Sequence, residues 1–264
     1  MTTFCISDLH LGNRGPRDNF CVGGRELRFD AFLDYVQEQE GELLILGDLF
    51  EWWQVTVGSA ILAYLPLLNR LSENRDLTWV TGNHDNVLTP ILHTYLIPNH
   101  RLFRSAGGPF TRQIGGRTFA FLHGHETDPY CRSVDPGIGQ VSAILSGLRE
   151  DRHKGPVDTH GRAIEDRLIG ILEYALTFWR RLTFRHGRLD EMIDGVEAHR
   201  KRQNADVVVY GHTHNPGRIG THHYNCGTWA RQHDTFVRIN NAGQARVWEW
   251  TDNGACLFDR VLRE

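Results

Sequence analysis

Cysteine is sparse in this chain of 264 residues, and the five that occur (Cys5, Cys21, Cys131, Cys226, Cys256) are odd in number and never spaced as CxxC. That pattern suggests neither a disulfide framework nor a structural zinc site, and is expected of buried or idle thiols in a reducing cytosol. Long apolar runs are missing too: no stretch approaches the ~20 residues of a spanning helix. The amino end (Met1-Thr2-Thr3-Phe4) has neither a basic segment nor an apolar one of signal-peptide type, so a cytoplasmic protein is expected. Nor is there an excess of positive charge, since 29 Lys and Arg face 32 Asp and Glu for a formal charge of -3. A general electrostatic grip on nucleic acid is therefore not expected. Low-complexity linkers and internal repeats are also absent, which favours one domain over residues 1–264, and no feature fixes an oligomeric state.

What is present is a series of short apolar runs that each stop at a polar cluster. Phe4-Cys5-Ile6-Ser7 runs into Asp8-Leu9-His10-Leu11-Gly12, and Leu43-Leu44-Ile45-Leu46 into Gly47-Asp48-Leu49-Phe50-Glu51. Leu77 to Val80 leads to Gly82-Asn83-His84-Asp85. Arg117 to Leu122, entered through Gly115-Gly116, leads to His123-Gly124-His125, and Val207-Val208-Val209 leads to Gly211-His212-Thr213-His214. Runs without polar alternation predict strands covered on both faces. Between them, Leu27, Phe29, Phe32, Leu33 and Val36 keep helical spacing. So do Ile61, Leu62, Leu65, Leu68 and Leu71, for which one helix bent at Pro66 is predicted. Residues 129–204 carry helical periodicity throughout and predict a helical insertion, or cap. From His223 onward β-prone runs predict an antiparallel stretch.

Five strand ends thus carry Asp8, His10, Asp48, Asn83, His84, His123, His212 and His214. In open α/β sheets a ligand site lies beyond the carboxyl ends of the strands, where all of these fall. Nitrogen and carboxylate donors without thiolate suit Mn²⁺, Fe²⁺ or Zn²⁺ rather than an all-oxygen Ca²⁺ site. So many candidate ligands, seven even with His84 set aside, exceed one ion and fit two ions that share a carboxylate, an arrangement recurrent in phosphoester cleavage.

In that order these motifs resemble the calcineurin-like metallophosphoesterases. The resemblance spans about residues 8 to 214 and implies an α/β fold, a four-layer α/β/β/α sandwich. It implies that Asp8, His10, Asp48 and His214 hold one divalent ion, that Asp48, Asn83, His123 and His212 hold a second, and that Asp48 is the bridge. A metal-bridging hydroxide would attack phosphorus in line. His84 would stabilise the developing charge or protonate the leaving oxygen, with Asp85 orienting it or simply capping the segment that follows. Two ions, the two carboxylates and a hydroxide leave about one positive charge to meet an anionic ester.

Ser7-Asp8-Leu9-His10-Leu11-Gly12, Gly47-Asp48-Leu49-Phe50-Glu51-Trp52-Trp53 and the insertion after His123 are similar to the UDP-2,3-diacylglucosamine diphosphatase branch. That likeness implies cleavage of a lipid-linked pyrophosphate, typically with Mn²⁺, and peripheral membrane contact through the insertion. The chain departs from the branch in having His84 where Arg is common and His123-Gly124-His125 where His-Gly-Asp is common. Alternative readings are a phosphodiesterase or phosphatase for nucleotides and other small soluble esters, and a non-catalytic metal-binding scaffold. His125 and Asp128 are candidate substrate contacts or ordinary loop residues. Trp52 and Trp53 are candidate stacking faces for a base, or packing residues. The arginines of the insertion, Arg162, Arg167 and Arg180 among them, read as a solvated face or as phosphate binders. Gly227-Thr228-Trp229 is expected to form a turn without chemistry.

Overall fold

The structure is a computed structural model that describes residues 1–15, 18–73, 77–85, 108–128 and 188–263. Most of the expected insertion, including Arg162, Arg167 and Arg180, lies outside the described residues.

Two six-stranded sheets form the centre. The first runs β11(Gly254–Leu257), β10(Ala245–Thr251), β9(Thr235–Ile239), β1(Thr3–Ile6), β2(Glu42–Leu46) and β3(Leu77–Val80). The second runs β12(Val261–Arg263), β7(Gly217–Ile219), β8(His223–Asn225), β6(Val207–Tyr210), β5(Arg117–Phe121) and β4(Phe110–Ile114). In the first, β1, β2 and β3 are parallel, so their carboxyl ends emerge on one edge. In the second, β5, β6 and β8 are parallel.

Period two decides the layers, because successive side chains of a strand face opposite ways. Cys5, Leu44, Leu46 and Val80 of the first sheet meet Phe119, Phe121, Val207 and Val209 of the second in the central core. Their neighbours Phe4, Ile6, Leu43, Ile45, Leu77 and Trp79 turn outward against α1(Arg25–Glu38), α2(Val57–Ala63) and α3(Leu65–Glu73). On the far side Ala120, Leu122, Val208 and Tyr210 pack on Met192 and Val196 of α4(Arg188–Arg202). The result is the expected α/β/β/α sandwich, and it explains why the strands are continuously apolar: both faces are covered.

Three local expectations are corrected. The helix bent at Pro66 is two helices that part at Tyr64, whose hydroxyl donates to Asp18 Oδ2 at 2.7 Å. Pro66 is the second residue of α3, where its missing N–H would have had no helical partner. Leu27 is 76% exposed, Leu62 74% and Leu65 45%, so none of the three belongs to the buried stripe. The tail is only partly antiparallel: β9, β10 and β11 are, but β8 lies parallel to β6.

Candidate metal centre

All five polar strand ends converge on the edge where the two sheets open. Asp8, His10, Asp48, His212 and His214 have left-handed backbones, with φ between 50° and 65°. Such angles are uncommon outside glycine, and here they cluster at the strand exits. Hydrogen bonds hold the exits in place. Asp8 N–H donates to Gly47 O at 3.1 Å and His10 N–H to Asp48 O at 3.0 Å, so the β1 and β2 loops travel together. Gly211 N–H donates to His123 O at 2.9 Å, which joins the ends of β5 and β6. Thr228 Oγ1 and Trp229 N–H both donate to Asp8 O. The turn expected to be without chemistry is therefore a clamp on a site residue.

Both central carboxylates are split in the same way, one oxygen committed to the protein and the other facing imidazoles. Asp8 Oδ2 accepts from Ser7 Oγ and from His212 N–H, and Asp48 Oδ1 accepts from His84 N–H at 2.9 Å. The opposite oxygens point inward. Asp8 Oδ1 is buried without a hydrogen bond of its own, 3.0 Å from His214 Nε2 and 3.6 Å from His10 Nε2. Asp48 Oδ2 lies 3.2 Å from His123 Nε2, 3.8 Å from His10 Nε2 and 4.0 Å from His84 Nε2. Asn83 Oδ1 is 3.2 Å from His123 Nε2. Asp8, His10 and His214 form one group whose ligand atoms lie within 4.8 Å of one another; Asp48, His123 and His212 form another, and His10, Asp48 and His84 a third.

This donor set fits divalent metal. His10 Nε2 and His214 Nε2 face each other at 3.0 Å, a separation that a common cation between them would explain. The far side of three rings is already held, as ligating histidines require. His10 Nδ1 meets Glu51 Oε2 at 2.9 Å, His123 Nδ1 meets Leu46 O at 2.7 Å, and His212 Nε2 meets Asp128 Oδ2 at 2.9 Å. The electrostatics agree. Burial alone would raise the Asp8 and Asp48 carboxyls, yet the neighbouring histidines hold both well below the usual range. Burial alone would lower His123, yet Asp48 and Asp8 push it up to about 10. The cluster thus demands positive charge at its centre, which protons satisfy and a divalent ion would satisfy better.

Glu51 is the residue whose role the sequence hid. Its Oε1 is 2.7 Å from His84 Nδ1 and its Oε2 holds His10, so one carboxylate orients both rings. Burial opposes its charge, but His84 and His10 outweigh this and hold its pKa at about 2. Asp85, expected to orient His84, does something else. Its carboxylate accepts from Leu49 N–H and Gly82 N–H, both at 2.6 Å, and ties the β2 loop to the β3 loop. Burial and nearby Asp48 push it up to about 7.

The four candidate substrate contacts separate. Trp53 stacks on His84 with centroids 3.8 Å apart, at the site. Trp52 instead stacks on Phe50 at 4.7 Å, a packing role. Asp128, 2% exposed, meets His212 Nε2 at 2.9 Å. The His125 ring stands 5.3 Å from that of His123, beside the cluster, and burial holds its pKa down at about 4.

Residues 1–216 match the family model of the calcineurin-like phosphoesterases. A curated relative, UDP-2,3-diacylglucosamine hydrolase of Porphyromonas gingivalis, is 28% identical over 127 residues, which cover 47% of this chain and 45% of that protein. The match therefore spans less than half the length of the relative. Among solved structures, a dimetal phosphatase from Danio rerio aligns over 98% of this chain and 97% of its own at 12% identity and a TM-score of 0.51. Zinc-complexed Vps29 from Entamoeba histolytica aligns over 98% and 97% at 12% identity and a TM-score of 0.48. Among the described residues no helix is long and apolar enough to cross a membrane.

Proposed function

The chain belongs to the calcineurin-like phosphoesterase family; from that premise we propose that it is a metal-dependent hydrolase that cleaves a phosphoester or pyrophosphate at a two-ion centre. One ion would be held by Asp8, His10, Asp48 and His214, the other by Asp48, Asn83, His123 and His212. The observation that carries this reading is the placement of Asp48 Oδ2, turned toward His10 on one side and His123 on the other. Two ions, Mn²⁺ in this reading with Fe²⁺ and Zn²⁺ admitted by the same donors, would supply Lewis acidity and a water acidified from 15.7 to about 7 for in-line attack. The protein's own part is positional. His84 stands at the mouth between Glu51 and the indole of Trp53, with its Nε2 turned toward Asp48, so its proton can go to the leaving oxygen. Glu51 keeps that ring in register.

For the substrate we propose a lipid-linked nucleotide pyrophosphate of the UDP-2,3-diacylglucosamine type. The motif likeness and the curated relative support it. The second reading is a nucleotide or other small soluble ester, with a base set against the Trp53 edge of the cleft. A Mn²⁺-loaded hydrolysis panel of UDP-diacylglucosamine, cyclic nucleotides, a chromogenic monoester and a chromogenic diester decides between them. Turnover of soluble esters with the lipid substrate untouched would overturn the first reading. Folding lost on chelation, with no ester cleaved, would replace both by a scaffold. Asp48→Asn should lose metal by elemental analysis together with turnover; stoichiometric metal and full activity in this variant would refute the centre.

A further inference from the structure

Two cavities meet at the metal-ligand edge and share one wall. The smaller, about 200 Å³, is lined by His10, Glu51, His84 and His214 and is the cleft in which the attacked phosphoryl group would sit. The larger, about 740 Å³, extends away past Asn215, Pro216, His233 and Arg260. Asn19, His214, Ala230 and Arg231 line both. Arg231 is the one arginine or lysine among the described residues lining the smaller cavity, and it is solvent-exposed with no carboxylate partner among the described residues.

Its backbone, by contrast, is firmly placed. Arg25 donates to Arg231 O and to Asn19 O, so the two chain segments of the shared wall are tied through one guanidinium. Arg25 is in turn fixed by Asp234, which is 3% exposed and takes Arg25 Nε and Arg28 Nη2, each at 2.7 Å. Thr228 bridges to Asp234 and donates to Asp8 O, so this loop is fastened directly to the metal-ligand strand. A fixed loop that carries, at the junction of two cavities, a guanidinium with no carboxylate partner among the described residues is suited to receive an anion. A monoester gives it nothing to hold, because its single phosphate is consumed at the metal centre. A second phosphoryl group, one bridging oxygen away, would lie toward the wall that the two cavities share.

We propose that Arg231 is a specificity-determining residue that selects substrates carrying a second phosphoryl group next to the one attacked, with the remainder of the substrate lying in the larger cavity toward Arg260. This rests on the phosphoesterase reading and narrows its substrate class to pyrophosphate-linked esters. Guanidinium pairs with phosphate bidentately and ammonium does not, so lysine should restore only part of the effect.

The test compares wild type, Arg231→Ala and Arg231→Lys, all Mn²⁺-loaded, on UDP-glucose, which has two linked phosphates, and on bis-p-nitrophenyl phosphate, which has one. Arg231→Ala is expected to lower kcat/KM on UDP-glucose by about 10- to 100-fold, mainly through KM, as befits a lost charge-assisted contact. The diester should change by less than about twofold, and Arg231→Lys should fall between. Equal loss on both substrates, or no loss on UDP-glucose, would overturn the assignment. If wild type cleaves neither compound, calorimetry decides the role of Arg231 on its own. Inorganic pyrophosphate should then bind more tightly than phosphate, and Arg231→Ala should weaken pyrophosphate alone. Loss of neither or of both would refute the role.

Discussion

A single carboxylate sets the geometry of two rings at this site. Glu51 fixes His10 and His84 through separate oxygens, at 2.9 and 2.7 Å. Glutamine keeps the shape but can offer an acceptor to only one ring, while its NH₂ faces the other. Glu51→Gln is therefore expected to weaken metal binding by about 10- to 100-fold, the usual cost of losing a partner behind a ligating histidine. It should also lower kcat where His84 supplies the proton; metal titration and steady-state kinetics read the two effects separately. The same group carries a pH signature. With its folded pKa held near 2, against an ordinary value of about 4.3, Glu51 stabilises the fold fully above the ordinary value, and that contribution disappears as pH falls toward 2. Urea midpoints between pH 2 and 6 should fall less steeply in Glu51→Gln than in wild type. The metal-ligand types and their order could be read from the sequence because each stands at the end of an apolar run. The Glu51 role could not, since its two rings come from β1 and β3 and meet it only when those exits fold together. Asp85 misled for the same reason: adjacency to His84 in sequence says nothing of the backbone N–H groups of Leu49 and Gly82 that its carboxylate binds.

At the scale of elements, the site depends on loops packed so closely that a methyl group is too much. A Cβ on Gly82 would stand 2.1 Å from Asp48 Oδ1 and 2.5 Å from Asp48 N, and one on Gly211 would stand 1.9 Å from Ser7 Oγ. Gly82→Ala is expected to displace Asp48 and so to lose bound metal, read by elemental analysis, while circular dichroism stays close to wild type. The helical layer offers a contrasting case. Tyr64 ends α2, and its hydroxyl is one of several donors to Asp18 Oδ2, the others being Gly12 N–H and Arg14 N–H. Removing it in Tyr64→Phe should cost about 0.5–1.5 kcal/mol in denaturant unfolding, with little change in metal content. Periodicity gave the strands and α1 closely, because burial on one or two faces is a local signal. It joined α2 to α3, because the tie from Tyr64 to Asp18 crosses 46 residues. It also passed over β4, five residues whose burial is only partial, and β7 and β12, three residues each and defined by pairing rather than by pattern.

At the scale of the whole molecule, the metal centre is where the two sheets are joined. Asp8, His10, Asp48 and Asn83 come from the first sheet, and His123, His212 and His214 from the second. An ion held by both groups would therefore couple the halves of the sandwich. Five of these seven positions carry a left-handed backbone, a conformation that costs of order 1–3 kcal/mol at a residue other than glycine. Asp and His tolerate it better than most side chains, so the lower end applies. Ligand that binds only the folded state stabilises by about 2.7 kcal/mol at a hundred times its Kd, and for a chain of this size each kcal/mol moves Tm by about 2–4 °C. Saturating Mn²⁺ should therefore raise Tm by about 5–10 °C over the EDTA-treated protein for one site filled at that level. Asp48→Asn, which removes the shared ligand, should abolish most of the increment. Protons compete for the same imidazoles, most strongly at His123, whose pKa the carboxylates hold at about 10. The Mn²⁺ increment should accordingly shrink as pH is lowered from 8 to 6 at fixed metal concentration, because each bound ion must expel the protons that satisfy the carboxylates in its absence. An increment independent of pH would mean that the stabilising ion sits elsewhere than on these histidines.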